Sequence, residues 1–153
     1  MVSGFTIVLV AIDPDRQVIG AIHTAPPFHI LMRIRDAPKS ELYSTAAVVR
    51  QITGIAVLPS QRRTGVGSAL MRYTEALSWR AGCRLLYGQF DIDLALKKFF
   101  TSCGFKTLLP REGIKFTPYG SNVGIMPRPG AMFFASHYET STDPEWTGDH
   151  RNR

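Results

Sequence analysis

Apolar and polar positions along the chain predict a mixed α/β order. Phe5–Ile12 is apolar and largely β-branched, Asp13-Pro14-Asp15-Arg16 is polar, and Gln17–Thr24 is apolar again. Two such runs about a polar Asp-Pro turn predict a β-hairpin. Ala25-Pro26-Pro27 ends the second run. His29–Ile34 fits a short strand or a turn of helix, and Arg35–Ser44, polar with Pro38, fits a surface loop. Thr45–Leu58 predicts a long strand closed by Pro59, in which Gly54 marks a bulge or a close backbone approach.

From Gly65 to Arg80, Val66, Ala69, Leu70, Tyr73 and Leu77 recur at helical spacing, and Gly82 follows as a stop. Arg84–Phe90 predicts a strand and Asp91–Ser102 a second helix, whose start Asp91 or Asp93 can cap. Short strands are expected near Lys106–Leu109 and Gly113–Thr117, and a last one over Ala131–His137. Strand, helix, strand, helix in the middle implies a parallel crossover unit. One domain is expected over residues 1–138. Residues 139–153, polar with Pro144 and Gly148, are expected to form a flexible tail.

Composition narrows the class. With 153 residues, 44% hydrophobic and 20% charged, the chain suits one globular core and neither disorder nor a fibre. The apolar run Phe5–Ile12 is too short to span a bilayer. Cys83 and Cys103 lack Cys-x-x-Cys spacing and are expected to be reduced, in a cytoplasmic setting. The histidines lack ligand spacing, so no metal site is indicated. The net charge of +6 favours anionic partners, either nucleic acid or a phosphorylated small molecule. Nucleic acid is disfavoured, because the basic residues are dispersed and no aromatic interleaving accompanies them.

The chemistry concentrates in Ile55-Ala56-Val57-Leu58-Pro59-Ser60-Gln61-Arg62-Arg63-Thr64-Gly65-Val66-Gly67-Ser68. A strand ends, a basic loop follows, and two glycines open a helix. Amides of a first helical turn have no partner inside the helix, and the helix dipole adds positive potential there. Arg62 and Arg63 contribute full charges, so the segment suits a pyrophosphate. A Walker loop is excluded by the missing Gly-Lys pair, and a dinucleotide fingerprint by the missing third glycine.

Arg62-Arg63-Thr64-Gly65-Val66-Gly67 resembles the Arg/Gln-x-x-Gly-x-Gly/Ala signature of the GNAT N-acetyltransferase superfamily. Ile55-Ala56-Val57-x-Pro59 resembles that family's fourth strand and Ala69-Leu70 its third helix. Phe99-Phe100-Thr101-Ser102-Cys103-Gly104-Phe105 resembles the aromatic-x-x-x-Gly-Phe ending of its fourth helix. The resemblance covers about residues 5–135. It implies an α/β (α+β) fold with a mixed, mostly antiparallel central sheet, split at a bulged strand and flanked by helices, with a shortened N-terminal part. It implies acetyl-CoA as cosubstrate, with pantetheine along Ile55, Ala56 and Val57. The pyrophosphate would lie on Arg62, Arg63, Thr64, Gly65, Val66, Gly67 and Ser68, and an acetyl group would pass directly to a primary amine of a small molecule, peptide or protein.

The acid-base half departs from the family pattern. Where a tyrosine acid is common the chain has Phe100, and where an asparagine is common it has Asp93. The glutamate base expected on the fourth or fifth strand is absent; Gln51 and Thr53 stand on one strand, Tyr87, Gln89 and Asp91 on the other. Catalysis therefore rests on water, or on substitutes among Tyr87, Asp91, Asp93 and His137, or is lost, which leaves a CoA-binding regulatory module. With the hairpin near residue 5, the family's N-terminal helices are expected to be missing ahead of it. The insert Ala25–Ser44 is a candidate replacement wall, with Phe28, His29, Met32 and Tyr43 near the acceptor. An uncovered sheet edge raises the alternative of a homodimer.

Overall fold

The computed structural model describes residues 6–116, 123–137 and 145–147. The hairpin is present. β1 (Ile7–Ile12) pairs antiparallel with β2 (Val18–Ala25), and the Asp13 carboxylate accepts the Gln17 N–H at 2.8 Å across the turn. Two helices follow, α1 (Phe28–Arg33) and α2 (Lys39–Val48). α2 overturns the loop expected over Arg35–Ser44 and the strand expected from Thr45. Its polar residues carry no continuous apolar stripe, and Pro38 stands at the N-cap, where a missing amide costs nothing.

β3 (Val49–Val57) then leads through a 3₁₀ turn at Pro59–Gln61 into α3 (Val66–Arg80). β4 (Leu85–Asp91) and α4 (Leu94–Ser102) complete the central crossover. The remaining strands are β5 (Lys106–Thr107), β6 (Gly113–Phe116), β7 (Val123–Ile125), β8 (Ala131–His137) and β9 (Glu145–Thr147). β9 lies within the polar tail and pairs antiparallel with β6.

Six strands form the main sheet in the order β1-β2-β3-β4-β8-β5, and β7-β6-β9 form a small second sheet. In the main sheet only β3 and β4 run parallel. Successive residues of β4 feed opposite cores. Leu86 and Phe90 pack with Leu70 and Met71 of α3 and Phe100 of α4. Leu85 and Tyr87 pack with Ile30 of α1, Val48 of α2 and Phe133 of β8. A strand buried on both faces reads as a continuous apolar run, which is how Leu85–Phe90 appears in the sequence.

The sheet is split. β3 pairs with β4 only from Val49–Leu85 to Ile52–Gly88. From there β3 pairs with β2 alone, and Gln89–Asp91 pair with β8 alone. The bulge foreseen near Gly54 lies one residue earlier: His23 pairs with Gly54 and Thr24 with Ile52, so Thr53 is the extra residue. This reverses the alternation of β3. Ile52 before the bulge and Ile55 and Val57 after it all face the α3–α4 core.

A second glycine marks the parting itself. A Cβ on Gly88 would lie 2.3 Å from the Phe134 ring and 2.9 Å from the Ile52 carbonyl oxygen, whereas one on Gly54 would meet nothing within 4 Å. Gly88→Ala is therefore expected to cost about 1–3 kcal/mol through overpacking, read from urea denaturation. Gly54→Ala is expected to stay within about 0.5 kcal/mol of wild type. Equal midpoints for the two variants would contradict this account.

Candidate functional site

The segment between β3 and α3 forms the mouth of the split. The 3₁₀ turn brings the chain to Arg62, whose Nε donates to the Val57 carbonyl at 3.4 Å, tying the loop to the end of β3. Arg63 and Gly65 adopt left-handed conformations, with φ of 63° and 92°. Only glycine takes such an angle without Cβ strain, which accounts for Gly65. Thr64 Oγ1 donates to the Gln61 carbonyl at 2.7 Å and closes the turn. The Ala69 N–H donates to Gly65 O at 2.9 Å as the first bond of the helix, so the amides of Val66, Gly67 and Ser68 have no partner within α3.

A cleft of about 290 Å³ lies over these amides. One side carries Arg62, Arg63, Gly65, Gly67 and Ser68; the other is apolar, with Ile55, Val57, Leu96 and Phe99. Gly67 keeps this approach open, since a Cβ there would press to 3.3 Å on the Phe99 ring. The lining thus passes from basic to apolar, as a diphosphate joined to an extended, weakly polar arm requires. Seven of the ten residues read as cofactor-binding line it; Ala56, Thr64 and Val66 do not, and Thr64 holds the turn.

Ile55 and Leu96 also border a second cavity of about 280 Å³, deeper in the split. Its floor is aromatic: Phe100 stacks on Phe134 with centroids 3.8 Å apart and planes 8° from parallel. The position where a tyrosine acid was sought thus holds a buried ring without a hydroxyl. Polar groups enter from the strands. Thr53 contacts His23 Nδ1 and donates to the His23 carbonyl at 3.2 Å. Gln89 Oε1 accepts the Arg128 N–H at 2.9 Å, and the Arg128 guanidinium pairs with Asp91.

The four catalytic candidates separate. Asp91 borders the inner cavity. Asp93 caps α4, accepting the N–H groups of Ala95 at 2.7 Å and Leu96 at 3.1 Å. Tyr87 points into the core beside α1 and α2, edge-on to Phe133; its hydroxyl has no partner among the described residues, and burial pushes its pKa up. His137 pairs with Leu85, while Asp91 pairs with Ala131 at the other end of the ladder. That places His137 roughly 20 Å from Asp91 at the usual rise per strand residue, on the part of the sheet where β3 and β4 are still paired. Phe28, Met32 and Tyr43 are exposed, and neither they nor His29 border these two cavities. Arg128 and Phe134 escaped the sequence reading, because only long-range pairing brings them here.

Among the described residues no group of three His, Cys, Asp or Glu side chains could hold a metal ion. No helix among them is long and apolar enough to cross a membrane.

Residues 5–107 match the family model of an acetyltransferase (GNAT) domain. Solved structures of the same fold include an acetyltransferase from Bacillus cereus, with a TM-score of 0.55 and 16% identity over 88% of this chain and 74% of that one. A provisionally named acyl-CoA N-acyltransferase from Klebsiella pneumoniae gives 0.57 and 17% over 86% and 72%. A provisionally named streptothricin acetyltransferase from Bacillus anthracis, solved in complex with acetyl coenzyme A, gives 0.56 and 19% over 88% of this chain and 63% of that one. At these identities the likeness concerns the fold. No curated protein matches the chain.

Two side chains test these assignments. Asp93→Ala is expected to cost ~1 kcal/mol of folding stability by loss of the cap, and Asp93→Asn to retain most of it. Tyr87→Phe is expected to be neutral or stabilising, since it removes an unpaired buried hydroxyl. A loss above ~1 kcal/mol in chemical denaturation would reveal a bond to that hydroxyl.

Proposed function

Because this chain belongs to the GNAT acetyltransferase family, whose cosubstrate is acetyl-CoA, we propose that it transfers an acetyl group from acetyl-CoA to a primary amine by direct attack. The observation that carries this reading is the split sheet with an unpaired helix start at its mouth. In it, the amides from Arg63 to Ser68, with the Arg62 and Arg63 guanidiniums, hold the diphosphate. The edge of β3 that lacks a strand partner, around Ile55–Val57, pairs with the pantetheine amides. Ile55, Leu96 and Phe99 exclude water along the arm, and the thioester enters the cavity floored by Phe100 and Phe134.

The step itself needs few groups. The amine nitrogen bonds to the carbonyl carbon, the carbon–sulfur bond breaks, and the sulfur leaves as thiolate. Asp91, on the border of the inner cavity, holds the incoming ammonium and receives its proton directly or through water. With Phe100 in place of a hydroxyl donor, solvent protonates the thiolate. The same phenylalanine supports the second reading, a CoA-binding regulatory module without turnover. A reducing, cytoplasmic setting agrees with the free thiols Cys83 and Cys103.

Arg63→Glu is expected to raise KM for acetyl-CoA about 10- to 100-fold through loss of a charge-assisted contact, measured by thiol release across an amine panel. Gly65→Trp adds bulk in the mouth; Gly67→Val, farther into α3, serves if it misfolds. Activity indifferent to these changes would contradict the diphosphate site. Calorimetric CoA binding without turnover on any amine would establish the module instead.

The outer strand also bears on partners. β1 is a sheet edge, and its Val8, Val10 and Ile12 are 58%, 51% and 56% exposed. A second copy is the proposed cover, since antiparallel β1 edges are self-complementary about a twofold axis. Light scattering is expected to show a dimer that Val10→Lys dissociates. A monomeric wild type at micromolar concentration refutes this.

A further inference from the structure

A third cavity, of about 470 Å³, opens beyond the end of β4. Pro110, Pro127 and Pro129 form rigid walls, Ile92 and Met126 add apolar surface, and Arg111 and Arg128 bring positive charge. Arg128 is common to this groove and to the inner cavity of the split, while Asp91 borders the inner cavity and Arg111 the groove.

Arg128 is held firmly. Its N–H donates to Gln89 Oε1 at 2.9 Å, and its carbonyl accepts the Ala131 N–H at 3.0 Å. The Ile92 N–H donates to the Gly130 carbonyl at 3.1 Å, fastening the same turn to the end of β4. Arg111 sits in a turn closed by Glu112, whose carboxylate accepts the Leu109 N–H at 2.7 Å. No carboxylate pairs with Arg111 among the described residues.

The border between the two cavities therefore presents a carboxylate and a guanidinium side by side, then a second guanidinium, then an apolar trough. We propose that this groove is the acceptor site and that it selects free α-amino acids with apolar side chains. The inference rests on the acetyl-transfer reading. The α-ammonium lies on Asp91, facing the inner cavity where the thioester ends. The α-carboxylate, one carbon away, lies on Arg128 and Arg111. The side chain lies among Ile92, Met126 and the prolines. A zwitterion set against the Asp91–Arg128 pair makes two charge-assisted contacts of opposite sign. A plain amine makes only one and leaves Arg111 unanswered. An amine borne by a protein side chain lacks the adjacent carboxylate altogether.

The test compares leucine, methionine and phenylalanine with their amides, which differ only in that charge. Calorimetry with CoA present is expected to give Kd values about 10- to 100-fold tighter for the acids. Arg111→Gln is expected to lower the acid-to-amide ratio several-fold, the Arg128 contact remaining, while leaving CoA affinity unchanged. Equal binding of acids and amides, no binding of either, or an unchanged ratio in Arg111→Gln overturns the inference. CoA titration on the same samples separates the readings. If CoA binds and the amino acids do not, the cofactor reading stands and this one falls. If CoA does not bind, the cofactor reading falls, and titration of the amino acids alone still decides whether the groove recognises the carboxylate.

Discussion

Strands that have begun to pair normally continue, because each further residue satisfies backbone donors and acceptors that are otherwise costly to leave unpaired. β3 and β4 stop after four residue pairs, at Ile52 and Gly88. The interruption is physical. The Phe134 ring lies against Gly88 where a side chain would stand, and Thr53 adds a residue to β3 at the same level. What remains is an open edge of backbone in a cleft. Both cavities of the split, and the placement of α3 at its mouth, follow from that parting.

The mouth was legible in the sequence because its determinants are local. A strand end, two arginines and two glycines lie within a dozen residues, and the glycine positions are required by Gly65's left-handed backbone and by the Phe99 ring beside Gly67. The inner half was not legible. Asp91 and Arg128 are 37 residues apart, and only the β4–β8 register brings them together. The same register carries His137 to the wrong end of the ladder. α2 escaped because its polar surface and leading proline carry the local marks of a loop, while its burial of Thr45 and Val48 is settled by tertiary packing.

The interior of the split offers few groups able to carry a proton. Its floor is an aromatic stack, its polar groups stand on the rims, and Tyr87 faces away into the opposite core. Such a chamber suits a reaction in which positioning and exclusion of water dominate. The rims, with Thr53 on one strand and Gln89 and Asp91 on the other, are where the cavity presents polar side chains.

The extra residue in β3 also bears on how such a chain changes over generations. Exchanging one side chain for another along Thr53–Val57 leaves the direction of every neighbour intact. Losing Thr53 would let β3 pair with β2 without interruption and would leave Ile55 and Val57 facing that core, because Thr53 and Gly54 together fill one outward place between Ile52 and Ile55; what would go is the irregularity at the level of Gly88. Loss of that one residue is therefore felt where the strands part and not in the core.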